Sequence, residues 1–289
     1  MNRHDAAAGI RSDAPRVLGR GGVGVVEEVE DRRSGKRVAR KRLKRDVAHD
    51  RRQREVLRRE ARVLRSLSHR GIPRVDAWSS GDDAEPWFTM TLVDGEDLAE
   101  TLERASFPFA GGVDVVERAA AVVESAHRRG VVHGDLKPAN VRVDRDGDVF
   151  VLDWGLAREV GEAARGGGSA SGTVAYMAPE QASGDAIDRR TDVFNLGATL
   201  CHVLTGAPPH DPSDPEAPVT AALGRCDRAL ERLDRSGADR RLVRLVRRCL
   251  ARDPRRRPAD AGAVRRALAR IRRRRQLGAW WARVTRFVR

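Results

Sequence analysis

Alternating hydrophobic and polar residues in the first third of the chain predict a β-sheet. Between Val17 and Leu43, a glycine-rich stretch leads into VVEEVE, a polar turn at DRRSGK and then VARKRL, which is the pattern of a strand hairpin. The segments LSHRGIPRVDAW and PWFTMTLV predict two further strands. From about Asp50 to Ser66, apolar residues recur at helical spacing, so we expect a helix that packs on the sheet by one narrow face.

The pattern becomes helical after Asp94. Three stretches have apolar residues at helical spacing and predict helices, namely Val113–Arg129, Val193–Thr205 and Arg240–Leu250. Two short strands, VRV and VFVLD, flank the turn sequence DRDG and predict a hairpin. We therefore predict an α+β fold with two lobes, in which a small β-rich lobe with one helix precedes a larger, mainly helical lobe. A cleft is expected between them.

Length and composition set the expected divisions of the chain. Its 289 residues suffice for two lobes with a disordered leader at 1–14, a first lobe at 15–93, a second lobe at 94–275 and a basic tail at 276–289. The leader lacks the apolar stretch of a secretory signal, and no run of apolar residues is long enough to span a bilayer. Three cysteines without metal-ligand spacing favour a reducing compartment, so we expect a cytoplasmic protein.

The positive charge is concentrated near the end of the chain. Lysine and arginine number 56 against 42 acidic residues, which gives a net charge of +14. Residues 265–289 contain ten arginines and no acid, so the rest of the chain is only mildly basic. A nucleic-acid-binding surface over the whole chain is therefore disfavoured.

Two motifs in the β-rich part suit phosphate binding. Gly19-Arg20-Gly21-Gly22-Val23-Gly24-Val25-Val26 fits G-x-G-x-x-G-x-V, in which glycines let a hairpin backbone offer N–H groups to phosphates, although alone it indicates only a tight turn. Ala39 and Lys41 share one face of the next strand, so a small residue can bound a base pocket while the ammonium reaches phosphates. Glu60 is the candidate partner of Lys41, although either charge alone is more often a solvated surface residue.

A third cluster carries groups for phosphoryl transfer. It is His133-Gly134-Asp135-Leu136-Lys137-Pro138-Ala139-Asn140. Its aspartate can accept a proton from a hydroxyl, its lysine can neutralise a phosphoryl group, and its asparagine oxygen can bind a metal ion. Asp153 follows a predicted strand and precedes Trp154 and Gly155, which suits a carboxylate that holds magnesium on the phosphates. Turn formation is the plain alternative for both loops, but it does not require this spacing.

The rarity of lysine and asparagine supports the same assignment. The chain has only four lysines and three asparagines, and Lys41, Lys137 and Asn140 are among them. Arginine, which is used almost everywhere else, cannot replace a compact point charge in a tight phosphate site. Chemistry at these positions therefore gives a physical reason for lysine to be present.

In order and spacing, these motifs resemble the eukaryotic-like, or Hanks-type, serine/threonine protein kinases from about Val17 to Arg275. Three further segments match that family: Gly172–Glu180 (GTVAYMAPE) resembles the end of the activation segment, Asp192–Gly197 the helix whose Asp anchors the catalytic loop, and Asp253–Pro258 the segment whose Arg pairs with Glu180. DLKPAN together with GT…APE resembles serine/threonine rather than tyrosine kinases, and Gln181 after APE favours the bacterial branch.

The resemblance implies the two-lobed kinase fold, a protein substrate, ATP, and magnesium with manganese as the alternative metal. The catalytic residues would be Asp135, Lys137, Lys41, Glu60 and Thr173. The nucleotide would contact Gly19, Gly21, Gly22, Gly24, Val26, Ala39, Lys41, Met90, Thr91, Val93 and Asp97, and the metal would bind Asn140 and Asp153. In this assignment Met90 lies at the back of the adenine pocket, residues 91–93 form the hinge, and Asp97 meets the ribose.

One departure from the family bears on regulation. The usual His-Arg-Asp is His133-Gly134-Asp135 here, and the absent arginine normally pairs with a phosphate on the activation segment. We therefore expect activity that does not require phosphorylation of that segment, with Ser169 and Ser171 as candidate sites or plain linker residues. Trp154 replaces the commoner phenylalanine and is expected to pack under the regulatory helix.

Two other classes of function compete with a protein kinase. A pseudokinase would bind nucleotide as a scaffold without turnover, which Gly134 suggests but the intact Lys41, Asp135, Asn140 and Asp153 oppose. A small-molecule phosphotransferase on a related fold is disfavoured because the APE segment resembles that of enzymes acting on proteins.

The end of the chain forms a candidate contact surface. Residues 272–289 predict a basic amphipathic helix, whose apolar side carries Leu277, Trp280, Trp281, Val284, Phe287 and Val288. Three roles are open for its apolar side: docking on the helical lobe, contact with an anionic membrane such as the inner face of the cell membrane, and contact with a partner protein. Nucleic acid is the least supported of these partners.

Overall fold

A five-stranded antiparallel sheet forms the first part of the chain. The computed structural model describes residues 10–32, 34–79, 85–104, 111–160 and 174–287, without the side chains of 10–14 and 275–287. The strands are β1 (Ile10–Arg20), β2 (Gly24–Asp31), β3 (Lys36–Leu43), β4 (Val75–Trp78) and β5 (Trp87–Thr91), in the spatial order β1-β2-β3-β5-β4. The strands that the alternating pattern predicts in this part are therefore present.

The sheet begins earlier than the sequence suggests. β1 starts at Ile10, so residues 10–14, which were expected to belong to a disordered leader, lie in a strand. Ile10 is opposite Asp31 and Arg11 is opposite Glu30, and a register irregularity precedes Arg16. Pairing of this kind uses backbone groups and needs no apolar pattern, which is why a polar sequence gave no strand signal. Residues 1–9 lie outside the described ranges.

Helix α1 (Arg51–Ser66) packs on this sheet by a narrow face. Asp50 caps it, because its carboxylate accepts hydrogen bonds from the first free backbone N–H groups of the helix. Leu57, Ala61 and Leu64 are buried, and so is Glu60 on the same face. A carboxylate in such surroundings requires a charged or hydrogen-bonding partner.

The second part of the chain is mainly helical. Its helices are α2 (Leu98–Arg104), α3 (Gly112–His127), α4 (Pro179–Ser183), α5 (Arg189–Thr205), α6 (Ala217–Ala222), α7 (Asp227–Arg235), α8 (Arg240–Cys249) and α9 (Ala261–Phe287). Its strands β6 (Gly95–Asp97), β8 (Val141–Asp144) and β9 (Val149–Val151) form a small antiparallel sheet in that order, and β7 (Val131–Val132) pairs with β10 (Arg158–Glu159). The predicted α+β fold class is confirmed.

Helix α5 lies at the centre of the second part. It packs against α3, α8 and α9, and it is buried on almost every side. Gly197 allows the close crossing with α8, because a Cβ atom at this position would lie only 2.3 Å from the Cβ of Cys249. A helix enclosed in this way is a rigid base for the loops that rest on it.

One hydrophobic core includes residues from both parts. Leu57 and Phe88 of the sheet side belong to the same buried cluster as Val151, Trp154 and Phe194 of the helical side. The loops that follow β7 and β9 therefore start from strands anchored in a shared core.

Three other features of the structure can be compared with expectations from the sequence. Among the described helices, none combines the length and apolar character needed to cross a bilayer. The cysteines at 201, 226 and 249 are buried free thiols. Helix α9 continues without a break past residue 275 to Phe287, so the backbone of the expected tail prolongs the last helix.

Candidate active site

Lys41 joins the sheet, helix α1 and the loop after β9. Its Nζ lies 2.6 Å from Glu60 Oε1 and 2.8 Å from Asp153 Oδ1. Ala39, two residues earlier on β3, lies on the same face of the strand, and Val26 of β2 is opposite Lys41. One ammonium group therefore brings together two carboxylates that are far apart in the sequence.

The three charges at this point shift one another's pKa values. Burial alone would lower the pKa of Lys41, but the carboxylates of Glu60 and Asp153 outweigh it and raise that pKa. Burial raises the pKa of Glu60, against the opposing effect of Lys41. The ammonium of Lys41 lowers the pKa of Asp153 to about 2, so this carboxylate is ionised at neutral pH.

Asp153 has an unusual backbone conformation. Its φ is +58°, in the left-handed region that residues other than glycine seldom adopt. The next residue, Trp154, is buried, donates its indole N–H to the carbonyl of Val151 at 3.0 Å, and packs edge-on against the ring of His133. These contacts hold Asp153 in a conformation that costs about 1–3 kcal/mol, a pattern that is common at functional sites.

The segment from Asp135 to Asn140 forms a tight polar loop. Lys137 Nζ lies 2.8 Å from Asp135 Oδ2, and Asn140 Nδ2 donates to the backbone carbonyl of Asp135 at 2.7 Å and to its Oδ2 at 3.1 Å. Burial raises the pKa of Asp135, and Lys137 opposes that shift. A buried aspartate with an elevated pKa is a better proton acceptor than an exposed one.

Asp192 of helix α5 holds the start of this loop. Its carboxylate accepts hydrogen bonds from the backbone N–H groups of His133 and Gly134, each at 2.8 Å. The carbonyl of Gly134 accepts a further bond from Gln181 Nε2 at 2.6 Å. Gly134 has a φ of +75°, and a Cβ atom there would lie 3.3 Å from the carbonyl oxygen of Leu156. This backbone conformation favours glycine.

A buried ion pair fixes Glu180, the last residue of the GTVAYMAPE sequence. Arg257 donates to both carboxylate oxygens of Glu180, at 2.6 and 2.9 Å, and the hydroxyl of Thr191 donates to the same carboxylate at 2.8 Å. The bidentate geometry satisfies both charges inside the protein. It ties α4 and α5 to the loop before α9.

The glycine-rich motif forms the turn between β1 and β2. Gly19, the last residue but one of β1, is opposite Val26, and the N–H of Gly21 donates to the carbonyl of Gly24 at 2.9 Å. Lys44, directly after β3, closes the turn, because its Nζ donates to the carbonyl of Gly22 at 2.9 Å.

The expected base and ribose residues lie on β5, on β6 and in the connection between these strands. Met90 pairs with Ala39 across the sheet, and Thr91 ends β5. Val93 is buried, and Asp97 caps α2, because its carboxylate accepts a hydrogen bond from the N–H of Glu100 at 2.9 Å. These residues lead from the sheet directly into the helical part.

Sequence reasoning missed two contacts of this site. Gln181 was noticed only as a family feature, and nothing in its sequence context indicates that its amide reaches Gly134. Arg142 contacts the carbonyl of Val93 at 3.4 Å and lies 3.9 Å from Asp97. The sequence signal that could have indicated this contact is the position of Arg142 in a predicted strand, two residues after Asn140. Thr173, Ser169 and Ser171 lie outside the described residues.

The donor set suits a magnesium ion shared with phosphates. Among the described residues, no group of three His, Cys, Asp or Glu side chains could hold a metal by itself. Asp153 offers its carboxylate oxygens. Because the side-chain nitrogen of Asn140 donates to Asp135, the side-chain oxygen of Asn140 is the atom that can bind a metal ion. Magnesium in such sites binds one or two protein oxygens together with substrate phosphates.

Replacing Lys41 by methionine should raise the pKa of Asp153 above about 2, because the ammonium is the main group that lowers it. A carboxyl with a lowered folded-state pKa stabilises the fold at pH values above its unfolded pKa of about 4 and loses that contribution as pH falls through its folded pKa. Carboxyl ¹³C NMR between pH 6 and 3.5 should therefore show Asp153 titrating in Lys41→Met and not in the wild type. Lys36→Met, at the exposed end of the same strand, is the control. An unchanged titration of Asp153 in Lys41→Met would contradict the prediction.

Comparison with known proteins agrees with this geometry. The family model described as a protein kinase domain matches residues 13–268. A Streptomyces coelicolor protein named as a probable serine/threonine-protein kinase is 36% identical over 219 residues, which are 72% of this chain and 32% of that protein. The serine/threonine-protein kinase PknB of Mycobacterium leprae is 32% identical over 88% of this chain and 42% of its own length. PknB of Mycobacterium tuberculosis is 31% identical over 90% of this chain and 43% of its own length.

The aligned regions span less than half the length of these curated relatives. The family model nevertheless covers most of this chain. The chain therefore belongs to the protein kinase family, with bacterial Hanks-type serine/threonine kinases among its relatives.

Proposed function

We propose that this chain is a serine/threonine protein kinase that transfers the γ-phosphoryl group of ATP to hydroxyl groups of proteins. The observation that carries the proposal is the contact of Lys41 with both Glu60 and Asp153. This contact joins the expected phosphate-binding lysine to the expected metal ligand without any rearrangement. Relatives named as serine/threonine-protein kinases support the same reaction class.

In the proposed reaction, Asp135 orients the substrate hydroxyl and accepts its proton as the oxygen attacks the γ-phosphorus. The bond to the β-phosphate oxygen then breaks, and ADP leaves. Lys137, 2.8 Å from Asp135, lies where it can neutralise charge on the transferred group. Lys41 steadies the phosphates that remain on ADP. Catalysis of this kind depends on positioning and charge stabilisation.

A divalent ion would complete the site. Asp153 and Asn140 would hold magnesium, with manganese as the alternative, and the ion would neutralise charge on the β- and γ-phosphates. The lowered pKa of Asp153 keeps that ligand ionised at neutral pH. The side-chain amide oxygen of Asn140 would be the second protein ligand of the ion.

Asp135→Asn should lower phosphoryl transfer by about 10²–10⁴-fold, the usual contribution of a positioned acid–base group. The assay follows radiolabel from γ-labelled ATP with magnesium onto the chain itself and onto a generic basic protein. Asp148→Asn, a partly exposed aspartate on the nearby hairpin, is the matched control and should keep wild-type activity. Equal labelling by Asp135→Asn and wild type would contradict the assigned base.

A pseudokinase is the alternative that the same assay separates. Well-folded wild-type protein that binds ATP but transfers no label to any serine or threonine would favour a nucleotide-binding scaffold. The geometry at Lys41, Asp135 and Asn140 supports the active enzyme.

We also propose that activity does not depend on a phosphate in the activation segment. Gly134 has no side chain to bind such a phosphate. Its amide is instead held by Asp192 and its carbonyl by Gln181, at 2.8 and 2.6 Å. These two contacts are a phosphate-independent means of fixing the residue before Asp135.

Phosphatase-treated protein, cleared of the phosphatase, should keep its initial rate of phosphoryl transfer. The same rate is expected of a Ser169→Ala/Ser171→Ala variant, since neither hydroxyl would need to be modified. Initial rates are required, because later time points include any self-phosphorylation. If treatment abolished activity and Ser169→Asp/Ser171→Asp restored it, this part of the proposal would be wrong.

Residues 272–289 are proposed to contact an anionic membrane surface, which would make the protein peripheral to the inner face of the membrane. Arg272 is already engaged by both carboxylate oxygens of Glu117, and Arg265 by Glu124. The charge for a surface contact must therefore come from the six later arginines, beginning at Arg273. Each arginine near such a surface contributes about 1 kcal/mol.

The protein should co-sediment with vesicles containing phosphatidylglycerol at low salt and remain in solution with phosphatidylcholine vesicles alone. Trp280→Ser/Trp281→Ser should lose this binding, because tryptophan favours the membrane interface. Trp78→Ser is the matched control, since Trp78 is a half-exposed tryptophan on β4. Absence of binding by the wild type at low salt would remove the membrane and leave docking on the helical part or a protein partner.

A further inference from the structure

Lys44 holds the tip of the glycine-rich turn at two consecutive carbonyl groups. Its ammonium donates to the carbonyl of Gly22 at 2.9 Å, and its backbone N–H donates to the carbonyl of Val23, also at 2.9 Å. Gly22 and Val23 are exposed, whereas Lys44 is half-buried. Within the turn itself, the N–H of Gly21 donates to the carbonyl of Gly24. A residue outside the glycine motif therefore fixes two of its peptide groups.

The ammonium of Lys44 reaches the turn from the face of the sheet opposite to Lys41. Side chains alternate along a strand, and the backbone bond from Lys44 to Val23 continues the pairing of β2 and β3 by one residue. Lys44 thus shares a face with Arg42. Lys41 lies on the other face, where a Cβ atom on Gly24 would be 4.0 Å from its Cε. The glycine-rich turn therefore has one lysine on each of its two sides.

The carbonyl that Lys44 holds determines where a neighbouring N–H group points. In a trans peptide unit the C=O and N–H bonds point in opposite directions. Because the carbonyl of Gly22 faces the ammonium, the N–H of Val23 in the same peptide unit points away from Lys44, towards the side that carries Lys41. That N–H donates to no backbone carbonyl within the described part of the chain. It is therefore an available donor on the side of the turn where Lys41 meets Asp153.

Glycines let this turn close over phosphates, but they do not hold it there. Glycine loses more conformational freedom on ordering than any other residue, so a glycine-rich turn in a single conformation costs free energy when nothing supports it. A contact that fixes the binding conformation beforehand removes part of that cost from ligand binding. The two bonds from Lys44 are such a contact, since they are formed by groups of the protein alone.

We propose that Lys44 is a positioning residue of the nucleotide site, which preorganises the glycine-rich turn so that the N–H of Val23 faces the phosphates of ATP. This inference rests on the proposed nucleotide site, but it concerns phosphate binding and does not require phosphoryl transfer. Lys41 and Lys137 act on the phosphates directly, whereas Lys44 acts through the backbone. A lysine that only attracts phosphate by its charge, or only stabilises the fold, would give different results in the experiments below.

The test measures, by calorimetry, the binding of inorganic tripolyphosphate with magnesium and of adenosine to the full chain. Tripolyphosphate reports on the phosphate end of the site alone, and adenosine on the base and ribose end alone. In Lys44→Met, tripolyphosphate affinity should fall about three- to tenfold, the range expected for loss of one partly exposed hydrogen bond. Adenosine affinity should stay within about twofold of wild type, because adenosine has no phosphate for the turn to bind.

Two further variants and a change of salt separate the hydrogen bond from the charge. Lys44→Arg keeps a cationic donor and should bind tripolyphosphate within about twofold of wild type. Lys36→Met removes the same charge from the exposed start of the same strand and should bind both probes like wild type. At about 1 M salt the Debye length is about 3 Å, so the difference between wild type and Lys44→Met should persist, whereas a difference due to long-range attraction would disappear.

Amide NMR reports on the turn directly. In ¹⁵N relaxation measurements, the amide of Val23 should become more mobile on the picosecond-to-nanosecond timescale in Lys44→Met and stay unchanged in Lys36→Met. A lysine with a purely electrostatic role would leave this amide unchanged in both variants. Thermal unfolding of each variant checks that it is folded at the assay temperature.

Four outcomes would overturn the inference. They are unchanged or tighter tripolyphosphate binding by Lys44→Met, an equal loss of tripolyphosphate and adenosine affinity, a loss that disappears at high salt, and failure of folded wild type to bind tripolyphosphate. Failure of the proposed kinase reaction gives a different result, namely no transfer of label while tripolyphosphate binding still depends on Lys44.

Discussion

The buried carboxylate of Asp192 is the group on which the candidate site depends. It is fully buried in α5, accepts the backbone N–H groups of His133 and Gly134, and lies 2.8 Å from His127 Nε2. Burial by itself would raise the pKa of Asp192, but the hydrogen bonds from His127 and from the loop outweigh it and lower that pKa. A buried charge that loses its partners costs about 3–5 kcal/mol. If the loop that carries Asp135 left α5, this charge would lose both of its backbone hydrogen bonds and keep only the contact with His127.

The two parts of the chain are connected by contacts that begin at this loop. His133, held by Asp192, packs edge-on against Trp154, and Trp154 fixes the backbone beside Asp153. Asp153 meets Lys41 of β3, and Lys41 meets Glu60 of α1. Each member is either buried in the shared core or paired with an opposite charge. The arrangement of the proposed phosphate site is thus set by packing of both parts, and a disturbance at α1 would be felt at Asp153.

The sequence predicted most of this arrangement because its signals are local. Strand alternation, glycine turns and the spacing of Asp135, Asn140 and Asp153 depend on neighbours along the chain, and the elements that they predict are present. Three features could not be predicted from local sequence signals. The strand pairing of residues 10–14 depends on β2 as a partner, the contact of Gln181 with Gly134 joins segments 47 residues apart, and Arg142 meets Val93 only after the chain has turned. Such contacts are products of the tertiary fold and leave no periodic trace.

The division of labour between lysine and arginine follows from the same physical constraints. Arginine forms the flat, two-point pairs that hold the fold, as with Arg257 on Glu180 and Arg272 on Glu117. Lysine occupies the two places where one compact charge must face carboxylates at short range, Lys41 and Lys137.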